Sequence, residues 1–288
     1  MSLPENCCQT MQENSCDQEN LPIGVIGGSG ICSIPGLRVT DKVSIPTRYG
    51  DPSDKIFLGE YHGVCIAFIP RHGYSHTIPP HRVPYKANLT ALKLLGVRHV
   101  VATCVAGSLR KEITPGTIMV PDQFINFTWG RDDTFAHDRE LVHLPMASPY
   151  CDTLALAATN ALSDLDIEYR KGGTVTVIQG PRFSTIAESK MYALLGGDIV
   201  NMTQYPECYF ARELGLCYTV LASVTDYDVG VPSDIAMRAN SFDKVLPIFR
   251  SNVENTLQVL RRILLNASQF VGCSCAELEV KPYFASKS

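Results

Sequence analysis

Long hydrophobic runs are missing from this 288-residue chain. Nowhere do about 18 apolar residues follow one another, so the sequence offers no membrane-spanning helix. The first residues lack a basic flank followed by an apolar stretch, and no secretory signal is expected. An excess of one charge is also absent: the formal net charge is −4, which argues against a broad basic face for nucleic acid or an anionic membrane. A local basic pocket remains open. Cysteine is plentiful, at 11 residues, but paired CxxC motifs are not there, the total is odd, and the thiols are scattered from Cys7 to Cys275. The expectation is a set of reduced, largely buried thiols in a cytosolic protein, with no metal. Cys273-Ser274-Cys275 is the single spacing suited to redox chemistry, and a plain tail is its simpler reading.

Apolar residues make up 45% and charged residues 19% of the chain, enough for one domain with a full core. Residues 1–20 are polar and aperiodic and read as a mobile leader, residues 21–270 as the domain and residues 271–288 as a tail. Apolar and β-branched runs starting near residues 23, 56, 64, 97, 120, 173, 197 and 218 read as strands. Helical spacing marks 85–96, 151–164, 186–195 and 241–265, and a further helix runs through Leu214. His62-Gly63 reads as a hairpin turn, and residues 128–149, with Trp129 and His143, as a long loop over a site. Alternating strands and helices imply a layered α/β architecture whose ligand site lies at the strand ends.

Several of those strand ends carry chemistry. The run 218–224 leads into Thr225-Asp226-Tyr227-Asp228. Two carboxylates two residues apart on extended backbone face one side, as a pair for one ligand or, more plainly, as loop acids capping the next helix. Gly27-Gly28-Ser29-Gly30 is a tight turn whose backbone N–H groups can meet an anion beside one hydroxyl. As a dinucleotide fingerprint it fails, because Ser33 stands where a third glycine belongs, and a nicotinamide oxidoreductase would leave the next motif unexplained. That motif, Pro70-Arg71-His72-Gly73, delivers a guanidinium fork and an imidazole donor suited to an oxyanion. His76 reads as pocket lining and His81 as background. The small residues of 103–108 let a ligand approach the backbone of a buried strand. Phe183 is either a flat face for a ligand or core, Ser184 offers a hydroxyl, and Glu188 is either a site acid or a first-turn acid. Met202 and Thr203 end another strand, the methionine being more often core filler.

Together, and in the same order, these segments resemble the motifs of the trimeric purine nucleoside phosphorylase and methylthioadenosine phosphorylase family. The residues concerned are Gly27-Gly28-Ser29-Gly30, Arg71-His72-Gly73, Gly180-Pro181-Arg182-Phe183-Ser184, Asn201-Met202-Thr203 with Pro206-Glu207, and Thr225-Asp226-Tyr227-Asp228. The resemblance covers about residues 23–265 and implies a single α/β domain, with a mixed, partly barrel-like central sheet surrounded by helices, in a homotrimer. The implied reaction is pentosyl transfer: phosphate attacks C1′ of a purine nucleoside and releases free base and a pentose 1-phosphate. No cofactor is implied, inorganic phosphate being a co-substrate. Phosphate is implied to lie against Ser29, Arg71, His72 and Thr203 with backbone from Cys104 and Val105, and purine and ribose against Phe183, Ser184 and Met202. Asp226 and Asp228 are the implied catalytic pair at the base. Phe242, Val245 and Leu246, with His76 and His143, are implied around the 5′ substituent. The aspartate pair is similar to the adenine-selective, methylthioadenosine branch, whereas the 6-oxopurine branch typically carries Asn where Asp226 stands. Phosphorolysis of adenosine, inosine or guanosine is the alternative. Three features depart from the pattern: Ser29 replaces a usual Thr; Cys104 stands where Thr or Asn is common, a thiol being the weaker donor; and at the 5′ pocket Phe242 is bulkier than the usual residue and 229–240 longer than its counterpart.

Overall fold

The structure, a computed structural model, describes residues 21–136, 143–233, 242–267, 270, 273 and 275. The expected leader, and all of the tail except Cys273 and Cys275, lie outside the described residues. In chain order the elements are β1 (Ile23–Gly27), β2 (Arg38–Val43), β3 (Ile56–Tyr61), β4 (Val64–Pro70), α1 (Tyr85–Leu94), β5 (His99–Ser108), β6 (Ile118–Val120) and β7 (Gln123–Phe127). They continue with α2 (Asp152–Asp164), β8 (Tyr169–Lys171), β9 (Thr174–Ile178), α3 (Ile186–Leu194), β10 (Ile199–Asn201), α4 (Gln204–Glu213), β11 (Cys217–Tyr227) and α5 (Phe242–Leu265).

The core is built on both faces of β11, whose residues from Cys217 to Asp226 are all buried. Alternation sends Tyr218, Val220, Ala222 and Val224 into one apolar cluster with Leu89 and Leu92 of α1 and Phe210 of α4. Cys217 and Leu221 enter another, with Leu154 of α2 and Leu260 and Ile263 of α5. Strands covered on both faces read as continuous apolar runs, which is how this one was found. Full burial of a side chain such as Leu221 stabilises the fold by about 1.5–3 kcal/mol. Gly96 stops α1 at φ +84, and the amide of Val97 donates back to the Leu92 carbonyl at 3.1 Å, a glycine C-terminal cap.

The mixed sheet runs β2-β3-β4-β1-β5-β10-β9-β7, with β11 also on β5, and β6 and β8 beyond it. The pairing of β1 with β5 is parallel and stops at Ile26 opposite Ala102. On the same side β10 joins antiparallel at Val200 opposite Gly107. Between those points β5 has no strand beside it, and the sheet forks. On its other side β11 accompanies β5 from Cys217 opposite His99 to Tyr227 opposite Ser108, with a register shift between Val224 and Asp226. That bulge is pinned: the Val224 carbonyl accepts from Gly116 N at 2.8 Å and from Asn252 Nδ2 of α5 at 2.8 Å. A bulge re-aims the side chains that follow it, here Asp226 and Asp228.

Two strands lie outside the sequence expectation. Nearly all of β2 and all of β8 are exposed, so neither shows apolar alternation, and pairing with neighbours rather than burial specifies them. The described parts of 128–149 hold no strand and no α-helix. Among the described residues no helix is long and apolar enough to cross a membrane. Seven described cysteines are free thiols, whereas Cys65 is disulfide-bonded, a departure from the all-reduced expectation. Scattered sequence positions carry no record of which thiols come within bonding distance; tertiary proximity decides that.

Candidate active site

The fork opens into a cavity of about 630 Å³. Its wall brings together Ser29, Arg71, His72, His76, Cys104, Val105, Phe183, Ser184, Met202, Thr203, Asp226, Asp228, Val245 and Leu246. His143 is exposed and is not part of that wall. Phe242 begins α5, and its side chain falls outside the described residues.

One end of the cavity is built around Arg71, which is 1% exposed. Its Nε donates to Glu207 Oε2 at 2.6 Å and its Nη2 to Glu207 Oε1 at 2.7 Å. Nη1 donates to the Thr103 carbonyl at 2.8 Å. Burial works against the cation, but pairing with Glu207 outweighs it and raises the Arg71 pKa. Tyr218 holds the carboxylate from behind, its hydroxyl donating to Glu207 Oε1 at 2.7 Å. One N–H on each terminal nitrogen is left over for an anion. The turn at Gly28 fits because that residue has no side chain: a Cβ there would stand 2.3 Å from the Thr103 carbonyl oxygen. Instead Gly28 N donates to Thr103 Oγ1 at 2.9 Å, which sets Ser29 at the cavity edge.

His72 behaves differently from the donor expected of it. Burial first, and the Arg71 cation second, push its pKa down to about 4, so the ring is neutral near pH 7. Its Nδ1 donates to the Ile78 carbonyl at 2.8 Å, which leaves Nε2 as an acceptor. Such a nitrogen can take a P–OH proton but offers none. His76, assigned by resemblance to the 5′ end, sits 3.0 Å from Ser29 Oγ through its Nε2, and its ring is tilted against that of His72 with centroids 4.9 Å apart, which puts it at the Ser29 and His72 end of the cavity. Cys104 accepts from Asn201 Nδ2 at 3.3 Å and Gln204 Nε2 at 3.5 Å, and burial raises its thiol pKa. It is therefore a neutral, tethered group at the unpaired edge of β5.

At the other end stand the two acids. Burial pushes the Asp226 carboxyl up to about 7, against a hydrogen bond from Thr225 and with the Asp228 charge adding to the rise; Thr225 Oγ1 donates to its Oδ1 at 2.7 Å. Burial also raises Asp228, although the hydroxyls of Ser189 and Ser184 favour its charged form. Its Oδ2, buried, has no hydrogen-bond partner among the described residues. A buried acceptor without a donor costs about 1–3 kcal/mol until a ligand supplies one.

Between the ends, Phe183 is 57% exposed and presents a free aromatic face. Met202 packs against Gly180, which leaves room for it: a Cβ there would lie 2.5 Å from the Met202 sulfur. Glu188 takes the bland reading: it closes a capping box with Thr185 and pairs with Arg182 at 2.6 Å. Two residues escaped sequence reasoning. Glu207 was seen only as part of a motif, although a carboxylate three residues past Met202-Thr203-Gln204 was the signal for an arginine partner. Arg131, in the loop after β7, donates to the carbonyls of Gln179, Met202 and Tyr205 at 2.9, 3.0 and 2.6 Å, tying three wall segments together; nothing local in the sequence marks it.

Comparison with known proteins fits this geometry. The family model described as the phosphorylase superfamily matches residues 22–265. The S-methyl-5′-thioadenosine phosphorylase of Nitrosopumilus maritimus is 41% identical over 260 residues, 90% of this chain and 97% of its own. The purine nucleoside phosphorylase of Streptomyces coelicolor is 44% identical over 253 residues, 85% of this chain and 87% of its own. The solved structure of methylthioadenosine phosphorylase from Schistosoma mansoni in complex with adenine superposes with a TM-score of 0.81 at 34% identity, covering 86% of this chain and 92% of that one.

Proposed function

The chain belongs to the phosphorylase superfamily, and on that premise we propose that it cleaves 5′-methylthioadenosine with phosphate, giving adenine and 5-methylthioribose 1-phosphate. The observation that carries the reading is Asp226, a buried carboxyl lifted to about 7 beside an Asp228 oxygen with no partner among the described residues. As C1′ loses the base, the sugar becomes oxocarbenium-like and negative charge grows on the purine at N7. An ionised carboxylate would repel N7; a protonated Asp226 donates to it. Asp228 accepts from the 6-amino group of adenine, whereas a 6-oxo group would meet it acceptor to acceptor, leaving both unsatisfied.

Ser29, Thr203, the free N–H groups of Arg71 and the backbone at Cys104 and Val105 hold phosphate under the sugar. Because Glu207 neutralises Arg71, the grip is made of aligned donors rather than net charge. His72 Nε2 accepts the remaining phosphate proton. Phe183 and Ser184 face the purine, and Met202 lies along the ribose. Val245 and Leu246, apolar residues of α5, suit a methylthio group at the 5′ position. No cofactor takes part in this scheme. A homotrimer, as the family resemblance implies, would give the exposed Trp129, Leu194 and Leu195 a partner surface to pack against, testable by light scattering.

A second reading, phosphorolysis of nucleosides with a 5′ hydroxyl, is favoured by the 44%-identical relative named purine nucleoside phosphorylase. One assay separates the two: rates of base release from methylthioadenosine, adenosine and inosine, each with and without phosphate. Phosphate-dependent release of adenine, fastest from methylthioadenosine, is expected. Equal rates after phosphate is removed would sink the mechanism, and faster inosine cleavage would sink the role given to the aspartates.

A further inference from the structure

The catalytic reading leaves one cluster of reactive groups unused, at the opposite end of β11 from Asp226. Cys217 opens β11, Cys151 is the N-cap residue of α2, and Cys273 and Cys275 follow α5. The four sulfur atoms all lie within 4.8 Å of one another, and none of the four is in a disulfide. Cys273 Sγ stands 3.3 Å from Cys151 Sγ and 3.2 Å from Cys217 Sγ. A disulfide could join it to only one of them at a time, whereas a single metal ion can bind all of them at once. A tetrahedral site with metal–sulfur bonds of about 2.3 Å places its sulfurs about 3.8 Å apart, close to what is found.

The surroundings match an anionic cluster. Cys275 N donates to Cys273 Sγ at 3.4 Å, the kind of N–H···S contact that supports a thiolate ligand. Arg212, 9% exposed, directs Nη1 to Cys275 Sγ at 3.9 Å, and its Nε has no partner among the described residues. A largely buried guanidinium beside the cluster favours thiolates over thiols there, because opposite charges in a low-dielectric site pair.

We propose that Cys151, Cys217, Cys273 and Cys275 form a structural site for one thiophilic divalent cation, zinc, which fastens the chain after α5 to the start of β11. Binding displaces four thiol protons and gives a four-sulfur complex of net charge −2, balanced in part by Arg212. All four positions are filled by protein, so no ligand position is open for substrate. The site lies roughly 30 Å of extended strand from Asp226, and its role is stability, not chemistry.

The test is metal analysis of the full-length chain, purified in reducing, chelator-free buffer from zinc-supplemented cells. It is run beside Cys273→Ser/Cys275→Ser and a Cys32→Ser control. The native chain and the control should carry about one zinc each and the double variant none. Replacement by cobalt should give the intense visible absorption of a tetrahedral thiolate complex. A strong chelator should lower the Tm of the native chain by at least about 5 °C, with recovery on adding zinc. Native protein free of metal, whether its four thiols are free or joined in disulfides, overturns the proposal, as does zinc retained by the double variant. The chelator experiment needs no substitution and stands even if the double variant folds poorly.

Discussion

The two ends of the cavity meet their ligands in opposite conditions. At the anion end every strong group is held in place in advance: Arg71 is locked to Glu207 and Thr103, Glu207 to Tyr218, and His72 to Ile78. At the base end two acids share a buried wall, one with an oxygen that has no partner among the described residues, and burial raises both pKa values. The difference follows from what each ligand brings. Phosphate arrives charged and needs fixed donors that do not reorganise. The purine arrives neutral and needs a proton at one atom and an acceptor at another, and such a pair is held in reserve only if it is kept from water.

The largest expected effect is at the anion end. Glu207→Leu leaves a buried guanidinium unpaired and should cost about 3–5 kcal/mol of folding stability, read by urea denaturation, together with a steep rise in the phosphate KM. Loss of phosphate affinity at unchanged stability would break the picture of a pre-locked pair. Next comes Asp226→Asn. It should lower kcat/KM for methylthioadenosine by roughly 10²–10³-fold, an oxyanion-type loss, and lower it much less for inosine. Equal losses on both would remove Asp226 from base recognition.

The same substitution should stabilise the ligand-free protein. Below pH 3.8 Asp226 is protonated in folded and unfolded chains alike; between 3.8 and about 7 only the unfolded chain ionises, so stability falls across that window and is level above it. Asp226→Asn should therefore gain up to about 4 kcal/mol above pH 7 and nothing below pH 3.8, as thermal melts across pH would show. Smaller still is a shift in the activity profile. On the proposed mechanism, in which Asp226 acts protonated, kcat/KM should decline above about pH 7, and Asp228→Asn, which removes the neighbouring charge, should move that decline to lower pH. Titration of free phosphate cannot respond to residue 228, so an unmoved limb would separate the two causes. Smallest is Cys104→Ser, where one neutral group replaces another beside Asn201 and Gln204; the phosphate KM should change by no more than about fivefold.

Much of this site was legible because its residues sit in short motifs at strand ends, where local chemistry and position coincide. Arg71, Asp226, Thr203 and Phe183 are of that kind. Arg131 was not, because its partners are backbone carbonyls, which leave no trace in residue type. His72 was found but its sense was not: only the bond to the Ile78 carbonyl makes it an acceptor. Exposed strands such as β8 were missed for lack of any burial pattern.

By itself the sequence determined the kinds of group available and which strand each would end, because apolar periodicity and turn residues act over a few neighbours. What only the tertiary structure decided is where the sheet forks, which acid loses its water, and which four thiols meet. Those outcomes depend on contacts between residues tens to more than a hundred positions apart, and desolvation, which raises Asp226, is a property of the packed surroundings rather than of the aspartate.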